Sequence, residues 1–367
     1  MTAMDRLRVL MLGPLGPPHV SDQALALKER GIDVHVGGNA SGALADSALS
    51  EAGLPVLASP RGRRATPWGI AATIRWTRRA IAAVRPDVVH AHWLPGFGFA
   101  AAAAGASPLA LTAWGSDVYR ASRVQKLAND YALRRADLLM ADSRDLLEAC
   151  GALDDDALRC ELVQWGADLR MFRPASSGER AELRQRLGLG PGPVIISPRT
   201  LTPVYNIPVV IEAFGRVGDA VPDAQLLLKH MGGATIELPP FPHPERMHLI
   251  GRVPYEKMAD YYRAADICVS ISSSDSSPRS VWEAMGAGCA CVLSDLPWVT
   301  ELLVPGRDAL TVPTEATAVA EAIIRLLSDP GLREDLAANG RAIVERHLNR
   351  EREMDRLVEL YAELVGR

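Results

Sequence analysis

Apolar runs that end in a glycine, proline or polar turn alternate along this chain with longer stretches whose apolar positions recur at helical spacing. That alternation predicts strands joined by helices, and so parallel α/β sheets. In the first half the strands read as 8–12, 33–36, 56–58, 87–91, 109–112, 138–141 and 161–164. In the second they read as 194–197, 225–229, 247–250, 267–271, 290–294 and 309–312. Helices close the chain around 316–328, 331–347 and 350–365. Phe172-Arg173-Pro174-Ala175-Ser176-Ser177-Gly178 reads as a linker between the two series. The pattern predicts two Rossmann-like, doubly wound domains, residues 1–171 and 172–349, facing each other across a cleft. The closing helix, 350–367, is expected to pack back on the first. Ligands of such sheets lie beyond the carboxyl ends of the strands, so the residues just after each run matter most.

Three segments raise a membrane question. Leu7-Arg8-Val9-Leu10-Met11-Leu12 is too short for a signal-peptide core and runs straight into a glycine turn, so a cytoplasmic protein is expected. Phe97 to Trp114 is apolar, but Pro108 and the small residues Ala100 to Ala106 predict a buried helix followed by a strand. Thr66 to Arg85 carries an apolar face of Ile70, Ile74, Ile81 and Val84, with Trp68, Trp76, Arg75, Arg78 and Arg79 around the rest. Such a helix suits an ordinary protein surface with snorkelling side chains, or a weak peripheral contact with an anionic membrane through 66–85.

Composition narrows the class. A chain of 367 residues exceeds one ordinary core and suits two. With 48% hydrophobic and 23% charged residues it is globular rather than disordered. The formal net charge of -4 argues against a nucleic-acid partner, for which a basic domain is expected. Five cysteines (Cys150, Cys160, Cys268, Cys289, Cys291) show no metal-ligand spacing, and three lie in or near apolar runs as core thiols.

Candidate chemistry is densest in Ser-Ser-Ser-Asp-Ser-Ser-Pro-Arg-Ser-Val-Trp-Glu, residues 272–283. Asp275 lies at the mouth of a strand-to-helix turn, and Glu283 stands about a turn and a half into the helix. Ser277 reads as the N-cap and Pro278 as the first helical residue. Free N–H groups at that helix start, among Ser276, Ser277, Arg279 and Ser280, suit an anionic group. Carboxylates that accept hydroxyl hydrogens, beside amides that bind phosphate oxygens, describe a pocket for a sugar nucleotide.

Other strand ends add to it. Arg199 can meet a pyrophosphate with paired hydrogen bonds and offset charge on a leaving group, or form a surface ion pair. Gly232 lies in a turn at the same edge, and the backbone around Val253 can meet a nucleobase. Gly13 and Gly16 permit close backbone approach to a ligand, yet they do not spell the dinucleotide fingerprint, and a structural turn fits them equally. His90 and His92 share one face of the fourth strand with no third ligand for a metal. His92 reads as lining the cleft or as a satisfied core histidine. Asp117 can orient an acceptor hydroxyl or cap the following turn.

Together these stretches resemble retaining glycosyltransferases of the GT-B fold, family four, over nearly the whole chain. Gln164-Trp165-Gly166-Ala167-Asp168, then Phe172 and Pro174, is similar to the family's Asn-Gly-Val-Asp-x-x-x-Phe-x-Pro junction. Pro198-Arg199, then Ile211-Glu212-Ala213-Phe214, resembles the element that opens on the phosphate-binding arginine. Gly251-Arg252-Val253 and Tyr261-Tyr262-Arg263-Ala264-Ala265-Asp266 match the stretch that reads the base. Asp275 to Glu283, continuing Ala-Met-Gly-Ala-Gly, resembles the Glu, seven residues, Glu signature.

The resemblance implies Glu283 on the ribose hydroxyls, Asp275 and its loop on the donor sugar, and Arg199 on the diphosphate. The loop of Gly13 and Gly16 would close over the donor from the other domain. It implies transfer of a hexose-type sugar from a nucleoside diphosphate, UDP or GDP, to a hydroxyl of a small molecule, glycan or lipid. Configuration would be retained, with no metal and no other cofactor. The family's commonly proposed route is front-face attack, with the leaving phosphate taking the acceptor's proton. Arg199, Asp275, His92 and Asp117 are the residues expected nearest the chemistry. Three departures stand out: Asp275 is one methylene shorter than the usual Glu, Val204-Tyr205-Asn206 replaces an expected lysine, and Trp114 stands where a histidine is frequent. Arg279 or Lys229 is available to replace the lost charge. Two rivals stay open, an epimerase or hydrolase on this scaffold and a nucleotide binder without turnover.

Overall fold

The computed structural model describes residues 7–15, 18–39, 48–60, 66–151, 158–229 and 236–366. The chain divides into two units, Met1–Trp165 with Glu351–Arg367, and Gly166–Arg350. The first is built on β1 (Arg8–Pro14), β2 (Asp33–Asn39), β3 (Val56–Ala58), β4 (Val88–His92), β5 (Leu109–Thr112), β6 (Leu138–Ala141) and β7 (Arg159–Leu162). They form one sheet in the order β3-β2-β1-β4-β5-β6-β7. The second is built on β8 (Val194–Ser197), β9 (Gln225–Lys229), β10 (Met247–Ile250), β11 (Ile267–Ser270), β12 (Ala290–Ser294) and β13 (Leu310–Val312). Their order is β10-β9-β8-β11-β12-β13, and every pairing in both sheets is parallel.

Parallel strands joined by crossover helices are buried on both faces, which is why these runs are apolar throughout. Along β1, Val9 and Met11 join one apolar cluster while Leu10 and Leu12 join another. Ile195 and Ile196 divide in the same way along β8. Strand order reverses between β1 and β4 in one sheet and between β8 and β11 in the other, and a ligand crevice belongs at each switch point. Gly13 lies beside the first. A Cβ on it would come within 2.8 Å of Val20 and 3.1 Å of His92, so the close packing of this turn requires glycine.

The boundary between the units falls before Gly166, not after Met171. Phe172 is fully buried in the second unit, with ring centroids 5.7 Å from Tyr255 and 5.6 Å from Tyr262. Ala167 bridges to Asn349, and a Cβ on Gly166 would meet the Arg350 backbone at 2.7 Å, so 166–172 is built into that unit. The strand read as 161–164 lies two residues earlier, at Arg159–Leu162. Beyond it, the Gln164 N–H is taken by Glu353 and its side chain donates to the Asp142 carbonyl, which pulls the chain off the ladder.

Phe97 to Trp114 folds as the end of a π-helical turn, the helix Phe99–Ala104 and β5. Among the described residues no helix is long and apolar enough to cross a membrane. Thr66 caps the helix Pro67–Val84 by accepting from the Gly69 N–H at 3.1 Å. That helix buries Thr77, Ala80 and Val84, while Ile70 and Trp68 are exposed, Trp68 at 83%.

The helix Arg350–Val365 supplies Met354, Leu357, Val358, Leu360, Tyr361 and Leu364 to the cluster around Val9 and Met11. Arg30 holds its outer side through Asp355 at 2.7 Å and Glu351 at 3.0 Å. Burial pushes the Glu353 carboxyl up to about 7, against the pull of the Gln164 N–H and Arg352. Because that lies above its ordinary value, Glu353 favours the folded state while protonated, and its contribution is lost as pH rises through about 7. Glu353→Gln is therefore expected to stabilise the protein at pH 8, by up to about 3 kcal/mol, and to change little at pH 5. Thermal denaturation at the two pH values checks this, and an unchanged pH slope in the variant would rule it out.

Candidate functional site

Because β8 and β11 are neighbours, the residues that follow them meet at the switch point of the second sheet. Arg199, buried there, donates to Asp275 Oδ2 at 2.7 Å and to Ser280 Oγ at 2.8 Å. Its guanidinium lies over the Tyr205 ring, 4.0 Å from the centroid. Ser272 Oγ donates to the same Asp275 oxygen at 3.0 Å. Burial opposes the Arg199 charge, but Asp275, Tyr205 and Tyr262 together outweigh it and hold the guanidinium above its usual value. Its Nε has no partner among the described residues.

The helix Arg279–Gly286 supplies a second pair one turn apart. Arg279 Nε stands 3.0 Å from Glu283 Oε1, and both side chains are buried. Tyr255 donates its hydroxyl to that oxygen at 2.5 Å, and Arg279 lies over the Tyr255 ring at 4.6 Å. Burial raises the Glu283 carboxyl, while Arg279, Tyr255, Lys229 and Tyr262 pull it back. Lys229, at the end of β9, is lowered by burial, raised by Glu283 and lowered again by Arg199. It therefore lies within electrostatic reach of both. Among the described residues three cations thus surround two carboxylates at one crevice, an excess of positive charge.

Ser277 is not the N-cap. Pro278 takes that position with no side chain capping the helix, and Ser277 Oγ accepts the buried Trp282 indole N–H at 3.0 Å. Ser276 is buried in the same loop, and Val253 packs half-buried near Tyr255 against one apolar cluster. Gly16 and Gly232 lie outside the described residues. Tyr205, Tyr255 and Tyr262 complete this network without having been read as site residues. Tyr205 and Tyr262 stand in segments that the resemblance singled out, and Tyr255 follows the Gly251–Pro254 turn, but nothing local marked their side chains as partners of the charges.

In the first unit the two histidines differ. His90 is satisfied on both nitrogens, by Tyr361 and Thr112 at 2.6 Å each, and burial pulls it down to about 3. It is a core residue. His92 accepts the Trp114 indole N–H on Nδ1 at 3.3 Å. An indole can only donate, so the neutral ring carries its hydrogen on Nε2. That nitrogen is buried with no partner among the described residues. Burial, then His90 and His19, hold His92 well below its ordinary value.

Asp117 is buried with both oxygens engaged. Oδ2 accepts the Leu94 N–H at 2.9 Å and Oδ1 the Trp114 N–H at 2.8 Å. Burial raises its carboxyl, and those N–H groups oppose the rise. Asp117 thereby ties the end of β4 to the end of β5. No group of three His, Cys, Asp or Glu side chains among the described residues could hold a metal.

Residues 179–343 match the family model described as Glycosyl transferases group 1, and residues 8–143 match Glycosyl transferase 4-like. The D-inositol 3-phosphate glycosyltransferase of Nocardia farcinica is 29% identical over 222 residues, 56% of this chain and 48% of that one. The GDP-mannose-dependent monoacylated alpha-(1-6)-phosphatidylinositol monomannoside mannosyltransferase of Corynebacterium glutamicum is 27% identical over 49% of this chain and 50% of its own. The chain spans about half the length of these curated relatives. Among solved structures, Anabaena HepE in complex with UDP and glucose superimposes with a TM-score of 0.79, over 97% of this chain and 99% of that one. At 19% identity this is a likeness of fold.

Proposed function

The chain belongs to the glycosyl transferases group 1 family and has the GT-B fold, and from that premise we propose a retaining, metal-independent hexosyltransferase. It takes a hexose-type sugar from UDP or GDP and passes it to a hydroxyl acceptor. The observation that carries this reading is the positively charged cluster of Arg199, Arg279 and Lys229 around Asp275 and Glu283. A nucleoside diphosphate supplies the anion this crevice lacks. Arg199, with N–H groups to share, meets the diphosphate, and Lys229 on the adjoining strand takes the place of the missing family lysine. Both offset the negative charge that grows on the leaving group, the usual way such transfer is accelerated. Asp275 receives a donor-sugar hydroxyl and Glu283 the ribose hydroxyls.

Neither His92 nor Asp117 offers an open base. The Nδ1 lone pair of one is occupied, and both oxygens of the other accept backbone N–H groups. That supports a route in which the acceptor oxygen bonds to the anomeric carbon as the carbon–phosphate oxygen bond breaks. The acceptor's proton then passes to the departing phosphate oxygen. Asp117 and His92 act as positioning residues.

Incubation of the full chain with UDP- and GDP-hexoses and a panel of hydroxyl acceptors tests the reading. Nucleoside diphosphate release that depends on acceptor is expected, with an α-linked product from an α-linked donor by proton NMR. Acceptor-independent release would assign a hydrolase instead. Binding with no release would assign a nucleotide binder.

A further inference from the structure

The carboxyl ends of β4 and β5 carry an aromatic cluster that no step above uses. Trp93 and Trp114 meet edge to face, their centroids 5.9 Å apart at 90°. Trp165 lies behind, 6.0 Å from Trp114, and His19 fits against both, at 5.1 Å from Trp114 and 4.6 Å from Trp165. Trp93 and Trp114 are half-buried, whereas Trp165 and His92 are buried. The two outer indoles are therefore the faces still open to a ligand, and the inner rings brace them.

Two features set this cluster apart from ordinary packing. Trp93 holds φ at 70°, in the left-handed region, at the head of the π-helical turn Trp93–Gly98. A bulky residue stays in that conformation only where its surroundings impose it, and such outliers and π turns gather at functional sites. Here Asp117 imposes it, with one oxygen on the turn at Leu94 and the other on Trp114. A single buried carboxylate thus sets the spacing of the two indoles. The second feature is His92 Nε2, a buried donor without a partner among the described residues. Such groups are uncommon in finished cores and mark a place completed by something else.

The chemistry of the wall selects its ligand. The only polar atom of the Trp114 side chain is engaged by His92, so this ring recognises through its face. Among the described residues the cluster is built of indole and imidazole rings, which offer faces rather than charge. We propose that this aromatic wall holds the acceptor, and that the acceptor group is a saturated ring with an apolar C–H face, a pyranose or cyclitol, stacked on Trp93 and Trp114. The inference rests on the transferase reading. It makes the wall a specificity element of this chain, which has Trp114 where the resembling family frequently has histidine.

Binding is measured on the full chain by saturation-transfer NMR and titration, without donor. The probes are methyl pyranosides, myo-inositol, glycerol and hexanol. The rings are expected to bind with dissociation constants on the order of 1–10 mM, and glycerol and hexanol at least fivefold more weakly. Trp93→Ala is expected to weaken ring binding at least fivefold, and Trp93→Phe to keep most of it, in proteins with a parental melting transition. Equal binding of rings and glycerol, preference for hexanol, or parental ring affinity in Trp93→Ala would each overturn the proposal. Ring binding without sugar transfer would uphold the wall and remove the transferase reading. Transfer without ring binding would do the reverse.

Discussion

Arg199→Ala is expected to slow sugar transfer at least tenfold, a loss of about 1.4 kcal/mol or more at the transition state. The departing diphosphate gains negative charge as its bond to the sugar breaks, and a preorganised cation is worth most at that moment. Arg199 is preorganised in three ways: its guanidinium stacks on Tyr205, one N–H is held by Ser280 and another by Asp275. Lys229 remains in the variant, but a point charge on a flexible stem does not reproduce a planar fork. Removing one member of a buried ion pair also destabilises the fold, typically by 3–5 kcal/mol in a fully buried pair. Here Asp275 keeps Ser272 as a donor, so the cost is expected to be smaller. Single-turnover rates at saturating donor, with melting curves on the same samples, separate chemistry from folding. Arg199→Lys keeps the charge and is expected to fall between parent and alanine. A folded alanine variant with the parental rate would remove Arg199 from the phosphate site.

Glu283→Gln is expected to weaken the ribonucleoside diphosphate about tenfold, since hydrogen bonds to a charged acceptor contribute roughly 1.5–3 kcal/mol. The structure adds a complication that the sequence did not show. Glu283 is also the buried partner of Arg279 and accepts from Tyr255. The amide leaves that guanidinium without its counter-charge, so the melting temperature is expected to fall as well. A 2′,3′-dideoxynucleoside diphosphate distinguishes the two effects. It lacks the hydroxyls that Glu283 is proposed to hold, so its affinity should change much less in the variant. Equal losses for both nucleotides would leave Glu283 a purely structural role.

Apolar runs placed seven strands to the residue, five of them buried on both faces. β5, β6, β8, β9 and β12 begin and end where the pattern puts them, because a strand covered by helices on each side must be apolar at every position. The edge strands β3 and β10 match as well, although they are only partly buried. The half-exposed edge strand β7 lacks that signature and was placed two residues late. At the N-terminus of the helix Arg279–Gly286 a local rule lost to a tertiary one. Ser277 has the composition of a cap, yet the indole N–H of Trp282, buried by packing, claims its hydroxyl. A buried indole donor is costly to leave unmet, and nothing local in the sequence showed that this hydroxyl would meet it.

Among the candidate site residues, Arg199, Asp275, Ser280, Arg279 and Glu283 come together at one switch point. Their residue types and their places just after strands were legible, because ligand sites follow from sheet topology. The partnerships were not. Asp275 and Glu283 read as a pair in the chain, but each is bound to a different arginine. His92 read as cleft-lining or as a core histidine, and Asp117 as an acceptor ligand or as a cap, and the structure holds both by neighbours.

The sequence by itself determined the order of strands and helices, the two α/β sheets and the kinds of side chain at their carboxyl ends. Those depend on apolar spacing and turn chemistry within a few residues. Only the tertiary structure decided which charges cancel, which nitrogen of His92 carries the hydrogen and why Trp93 sits at a positive φ. Each of these depends on groups far apart in the chain and close in space, as Arg199 is to Asp275 or His90 to Tyr361. Electrostatic and hydrogen-bond energies depend on distance and burial, which folding sets and spacing in the chain does not.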